Sequence, residues 1–414
     1  MNFFTRYKKI FLIIGFLILV GVLAYFLWQT FFNSPATILP NQEITGTSNG
    51  LPVAAPGSAN NNATNTGPGG LPNQNGLGGA PDPNEPSPLA LGGVTKTQAL
   101  TSSPSLDPTL SPGGGVQYYD TNNGHFYKID NNGKITSLSD KTFYNVKNIV
   151  WAPNKDQAVL EYPDGSKTLY NFQTQTQVTL PSYWQDFSFS PASNQLVSKS
   201  LGLDPENRWL VISNADGSQT KALENIGLND KTVYSNWSPN NQIVAMYTQG
   251  IDFNRQEVFF VGLNGENFKS TIIEGRGFQP QWSQSGDRLL YSVYSTTSNL
   301  NPQLWIVDAQ GDNISNNRQN LSIDTWASKC TFSSNTEVYC AVPENLPQGA
   351  GLFPELADQT KDNLYKIDLS IGTRELIAIP DGAYNISSVM VPSDDSSLYF
   401  TDKTTQQIYK IKLR

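Results

Sequence analysis

Trp237-Ser238-Pro239-Asn240-Asn241-Gln242-Ile243-Val244-Ala245-Met246-Tyr247 is the stretch that decides the fold. An aromatic residue leads into a Ser-Pro-Asn-Asn turn, built from residues that favour chain reversal, and then into an apolar, β-prone run. The same order returns as Trp282-Ser283-Gln284-Ser285-Gly286-Asp287-Arg288-Leu289-Leu290-Tyr291. Further copies start at Trp151 (Trp151-Ala152-Pro153-Asn154), Phe189 (Phe189-Ser190-Pro191), Phe332 (Phe332-Ser333-Ser334-Asn335) and Met390 (Met390-Val391-Pro392-Ser393-Asp394). Leu110-Ser111-Pro112-Gly113 heads a seventh, and the successive spacings are 41, 38, 48, 45, 50 and 58 residues.

Each period holds a second turn further on, such as Asp130-Asn131-Asn132-Gly133, Asn214-Ala215-Asp216-Gly217 or Asp308-Ala309-Gln310-Gly311. Asn and Asp tolerate the reversal, and Gly supplies a positive φ. One repeat therefore reads strand a, Ser-Pro turn, strand b, variable loop, strand c, Asp-x-x-Gly turn, strand d. Periods of about 40–50 residues with several short strands each are the signature of propeller blades. The expected fold is all-β, a seven-bladed β-propeller spanning 94–414, with six or eight blades as alternatives. The last repeat has no strand d of its own. Residues 94–101 (Val-Thr-Lys-Thr-Gln-Ala-Leu-Thr) are a spare strand that closes the ring by pairing beside residues 408–413. The anchor aromatics are expected to pack between blades.

These Trp/Phe-Ser-Pro-Asn turns, with the apolar strand and Asp-x-x-Gly hairpin that follow them, resemble the WD-like propeller repeats of the TolB type. The resemblance covers the last three quarters of the chain. The whole plan resembles membrane-anchored bacterial propeller proteins. TolB-like proteins act as periplasmic docking partners, so the resemblance implies a binding role. The chain departs from TolB itself in lacking its small N-terminal domain and in carrying an apolar N-terminal segment instead.

That segment follows Arg6, Lys8 and Lys9 in a short tail, residues 1–9. Residues 10–32 form an uncharged apolar run long enough to span a bilayer as a helix. The run exceeds the apolar core of a cleaved signal peptide and is read as a signal-anchor transmembrane helix. No basic residue follows until Lys96, so the positive-inside bias predicts a cytoplasmic N-terminus and an extracytoplasmic propeller. Residues 33–93 contain 10 Pro and 11 Gly and no aromatic residue. Such a linker is expected to be disordered, with a reach of roughly 40–50 Å as a flexible coil.

Composition narrows the chemistry. The formal net charge of -8 leaves no basic footprint for nucleic acid. A single histidine, His125, disfavours His-based metal sites and a Ser-His-Asp enzyme, and no Gly-x-Ser-x-Gly elbow is present. No metal and no cofactor are expected. The two cysteines, Cys330 and Cys340, flank one a–b turn symmetrically about Asn335 and face each other across the hairpin, which predicts a disulfide outside the cytoplasm.

The b–c loops lengthen in successive repeats, at 201–208, 251–257, 295–303 and 343–362. In a propeller the b–c and d–a loops emerge on one face. Tyr144, Trp184, Phe278, Trp326 and Tyr384 stand just before strands a, and Phe353 lies in the longest loop. These six rings are the candidate ligand-binding residues, through stacking on a sugar or anchoring a peptide; burial between blades is the competing role for each. The expected function is a protein- or glycan-binding scaffold of the cell envelope, attached to the cytoplasmic membrane. The rival is a propeller hydrolase or lyase acting on envelope polysaccharide, for which the sequence selects no catalytic residue.

Overall fold

The computed structural model describes residues 19–23, 25 and 85–414. Residues 19–23 and 25 are helical; the remainder of the expected membrane helix 10–32, the tail 1–9 and most of the linker 33–93 lie outside the described residues. Among the described residues no helix is long and apolar enough to cross a membrane. The chain divides into Met1–Gly78 and Gly79–Arg414, and the second unit carries the fold.

It is a seven-bladed β-propeller. Strands a are Ser105–Leu110, Asn148–Trp151, Trp184–Phe189, Val233–Ser235, Arg276–Trp282, Cys330–Phe332 and Ile386–Met390, and each opens one sheet whose strands a to d are antiparallel. The repeat anchors Leu110, Trp151, Phe189, Trp282, Phe332 and Met390 end their strands, and Trp237 lies two residues beyond its own. Strands a of successive blades adjoin around the central channel. The indole of Trp151 donates to the Asp107 carbonyl of blade 1 at 2.8 Å, and that of Trp282 to the Asn236 carbonyl of blade 4 at 3.3 Å. Anchor rings thus tie neighbouring blades by hydrogen bond as well as by burial.

The serine of the motif has a defined task. Oγ of the fully buried Ser238 accepts the N–H of Ile243 at 2.9 Å, and Oγ of Ser283 accepts that of Arg288 at 3.1 Å. Oγ of Ser190 likewise takes the N–H of Gln195. Each hydroxyl closes its a–b turn onto the first residues of strand b. Adjacent turns then bond to one another. Asn240 Nδ2 donates to the Gly286 carbonyl at 2.7 Å, and a Cβ at Gly286, whose φ is +72°, would lie 2.7 Å from the Asn240 nitrogen. That close approach explains the glycine.

Two strands a carry an aspartate at a bulge with positive φ, Asp107 (φ 43°) and Asp186 (φ 57°). Asp107 Oδ2 accepts the N–H of Ile149 at 2.8 Å, and Asp186 Oδ2 that of Ser235 at 2.9 Å. The bulge aims a carboxylate across the blade junction at the next strand a.

Ring closure involves two blades. Gln98–Ala99 pairs antiparallel with Ile408–Lys412 and completes blade 7, as expected. Val94–Thr95 pairs instead with Thr373–Pro380, in parallel, and gives blade 6 a fifth strand. The expected single strand 94–101 is therefore two short strands. Ordered chain also begins before residue 94: Ala90 N–H reaches the Lys412 carbonyl and Gly92 N–H the Ile377 carbonyl. Backbone groups alone make these contacts, so a Pro/Gly-rich composition does not prevent them.

The disulfide is formed. Cys330 and Cys340 are register partners across the blade 6 hairpin and both are buried.

Candidate functional site

Antiparallel a-b-c-d order puts the b–c loops and d–a segments at the same end of the ring. Cross-blade bonds join them there. Thr296 N–H reaches Asn254 Oδ1 at 2.9 Å, Gly349 and Gly351 N–H reach the Asn299 and Leu300 carbonyls, and Lys403 pairs with Asp358. The b–c connections of blades 4, 5, 6 and 7 thus form one continuous surface. Residues 251–257, expected as a loop, are mostly strand: Ile243–Asp252 and Arg255–Gly262 extend outward as a hairpin.

This face exposes several large apolar side chains. Leu203 is 97% exposed and Leu228 77%, and Tyr144, Tyr183, Phe253, Leu352, Phe353 and Leu356 are also exposed. All eight lie in b–c or d–a segments.

The six rings singled out from sequence divide. Tyr144 and Phe353 are exposed on this face. Trp184 is buried with Phe187, Phe189 and Leu180, and Phe278 is buried between Tyr234 and Tyr291, each 5.8 Å away. Tyr384 is half-buried against Phe400 and Tyr409, with its hydroxyl 3.0 Å from Thr97 Oγ1. Trp326 is buried under the long loop, against Ala350, Ala357 and Leu346. The rings do not form one cluster.

The loop 344–361 is tied down by a polar network that sequence reading missed. Lys329 Nζ lies 2.9 Å from both oxygens of Asp362 and 3.4 Å from Asn385 Oδ1. Asn385 Nδ2 donates to the Ala357 carbonyl at 2.7 Å, and its N–H to Asp402 Oδ1 at 3.1 Å. Asp362 Oδ2 also accepts the Ile386 N–H. Burial pushes the Asp362 carboxyl up and the Lys329 ammonium down, each opposed by the attraction of the other. All three donors of the lysine are used, so it positions the loop and presents no free charge. Beside it a cavity of about 240 Å³ is lined by Gln279, Trp326, Lys329, Asn385, Ser387 and Lys403.

Cavities of about 340 and 450 Å³ share residues with this one. The larger is lined by Asp107, Asp402, Ser387 and Lys403 among others. Burial raises the Asp107 carboxyl, the Ile149 N–H lowers it, and Glu161 raises it further; the net direction is up. No group of three or more His, Cys, Asp or Glu residues suited to a metal occurs among the described residues. His125 opens strand His125–Ile129, with Nε2 3.2 Å from Thr142 Oγ1. The only sequence signal for Asp107 was an Asp-Pro pair. Lys329, Asp362 and Asn385 meet from separate segments and leave no local signature.

An exposed loop face on a closed ring of seven sheets defines the class, a β-propeller. No family model matches the sequence, and no curated protein matches it. Solved structures match in fold. One is a prolyl endopeptidase, from a study of inter-domain dynamics in catalysis and specificity: 12% identity, TM-score 0.50, covering 76% of this chain and 49% of that one. The β-propeller domain of Myceliophteria thermophila Cps50 (Swd1) is 11% identical at TM-score 0.49, covering 77% of this chain and 100% of that one. The β-propeller domain of the Trilobed protease from Pyrococcus furiosus is 12% identical at TM-score 0.49, with 75% and 95% covered. At these identities the likeness is one of fold alone.

Proposed function

We propose that the chain is a membrane-anchored, extracytoplasmic propeller that binds a protein partner of the cell envelope through its loop-rich face. The observation that carries this reading is the set of exposed apolar residues on that one face, with Leu203, Leu228, Phe253 and Phe353 on four different segments. A glycan would need accessible stacked rings with polar neighbours; of the six candidate rings, Tyr144 and Phe353 are open to solvent. The basic residues Arg6, Lys8 and Lys9 and the apolar run after them support the anchor and its orientation. The test is affinity capture from solubilised envelopes with the full chain and with an L203S/F253S/F353S variant. A partner retained by the parent and lost by the correctly folded variant supports the reading. A partner captured equally by both moves the binding surface elsewhere.

The second reading, a polysaccharide hydrolase or lyase, rests on Asp107, a cavity-lining carboxyl with a raised pKa. Turnover of envelope polysaccharide by the parent, abolished in D107N with the fold intact, would establish it.

A further inference from the structure

Between blades 3 and 4 the outer wall opens into a crevice of about 640 Å³, the size of a small-molecule site. Its cause is a shortened outer strand. In blade 4, Thr271–Ile273 pairs with residues 256–258 of Arg255–Gly262, so residues 259–262 lack an outer neighbour and 263–270 form a loop. The opposite wall is the outer strand of blade 3, Lys221–Asn225.

The lining combines three chemistries. Tyr247 and Phe259, register partners on adjacent strands, stack at 4.5 Å with an interplanar angle of 8°, and Phe260 and Phe268 also line the crevice. Two carboxylates, Glu224 and Glu266, come from opposite walls, and no basic side chain lines the crevice among the described residues. Side-chain amides of Asn225, Asn229, Gln249 and Asn267 are also in the lining. Glu266 takes the N–H and the side-chain amide of Asn264 at 2.7 and 3.0 Å, which fixes its position and keeps its carboxyl below the usual range. Burial, then Glu257 and Glu224, raise the Tyr247 hydroxyl, so the ring stays a neutral phenol.

We propose that this crevice is a binding site for a small organic ligand bearing a primary ammonium group. Aromatic faces attract a cation through their quadrupole, and carboxylates on two walls give it charge-assisted hydrogen bonds. Anionic ligands meet two negative charges and no compensating one. The volume exceeds an ammonium head, which leaves room for the sugar or peptide body that carries it, within reach of the amides.

Isothermal titration of the detergent-solubilised full chain tests this with two ammonium probes, glucosamine and Nα-acetyl-lysine methylamide. N-acetylglucosamine and Nα,Nε-diacetyl-lysine methylamide are their uncharged counterparts. At least one ammonium probe is expected to bind saturably, about tenfold more tightly than its uncharged counterpart. E224Q, on the exposed outer strand, and Y247L should each weaken that binding by about tenfold while thermal unfolding verifies the fold. Preference for glucosamine identifies an amino sugar as the source of the ammonium group, and preference for the lysine probe a peptide side chain. No saturable binding of either probe overturns the proposal, as does equal binding of the uncharged counterparts. Unchanged affinity in both E224Q and Y247L overturns the location.

Discussion

Lys329 and Asp362 form a buried ion pair: Nζ lies 2.9 Å from each carboxylate oxygen, and the two side chains are 8% and 0% exposed. Lys329 ends the d–a segment of blade 6, and Asp362 opens strand c of the same blade. Through Asn385 the pair also holds the Ala357 carbonyl, so it fixes the longest loop to the rim of blade 7.

The first prediction concerns this pair. Removing one partner leaves an uncompensated buried charge, so K329M should lose about 3–5 kcal/mol of stability. The double variant K329M/D362L removes both charges and should recover much of that loss. Denaturant unfolding of the three proteins measures it. A K329M midpoint equal to that of the parent would show that the pair is dispensable.

Ring closure yields a second expectation. Deletion through residue 84 leaves residues 85–103 and their strand pairing in place; deletion through 103 removes the strands on blades 6 and 7. The longer deletion should lower the thermal midpoint by several degrees, since each kcal/mol lost shifts it by roughly 2–4 °C in a domain somewhat smaller than this one. Identical midpoints would mean that the closing strands add no stability.

The repeat serine gives a third. S238A orphans the buried Ile243 N–H and should cost about 1–3 kcal/mol. The exposed Ser328 serves as a control, with S328A near neutral. Comparable losses for the two variants would remove the turn-closing role.

Acid sensitivity is the fourth. Asp164, Asp216 and Asp368 accept the hydroxyl and N–H of Ser166, Ser218 and Ser370, and these bonds hold the carboxyls below their ordinary value of 3.8. Asp394 is lowered by the N–H and then the hydroxyl of Ser396. A carboxyl depressed in the folded state contributes stability that is present above its unfolded pKa and lost as pH falls through the folded one. Stability should therefore decline as pH drops below about 4. Asp362 and Asp107, both raised, oppose this with the other sign: their contribution is present below the unfolded pKa and is lost as pH rises through the folded one. Replacing the four turn aspartates with Asn should flatten the acid limb of a melting-temperature profile; an unchanged limb would show that other carboxyls govern it.

Much of the fold was legible because its information is local. A large ring recurring before a Ser-Pro turn must be buried somewhere, and the recurrence sets the blade period. Cys330 and Cys340 were readable as partners because hairpin register follows from their symmetric distance to the turn. The same locality limited the candidate site. Whether Trp184 or Phe278 faces solvent depends on how far each strand runs before its blade meets the next. A shift of a residue or two at the strand start changes the answer. Tyr144 and Phe353 lie outside the strands and remain exposed.

By itself the sequence determined the all-β class, the seven-part period, the disulfide and the need for a closing strand, since each follows from burial and turn chemistry within a few dozen residues. Only the tertiary structure decided what meets across blades. It split residues 94–101 between blades 6 and 7, because strand addition through backbone groups has no side-chain signature. It brought Lys329 to Asp362 and Asn385, 33 and 56 residues away, because the antiparallel blade returns the start of strand c beside the start of strand a and blade 7 packs against blade 6. It opened the crevice beside Tyr247, because the outer strand of blade 4 stops short of residues 259–262, a length that no local pattern prescribes.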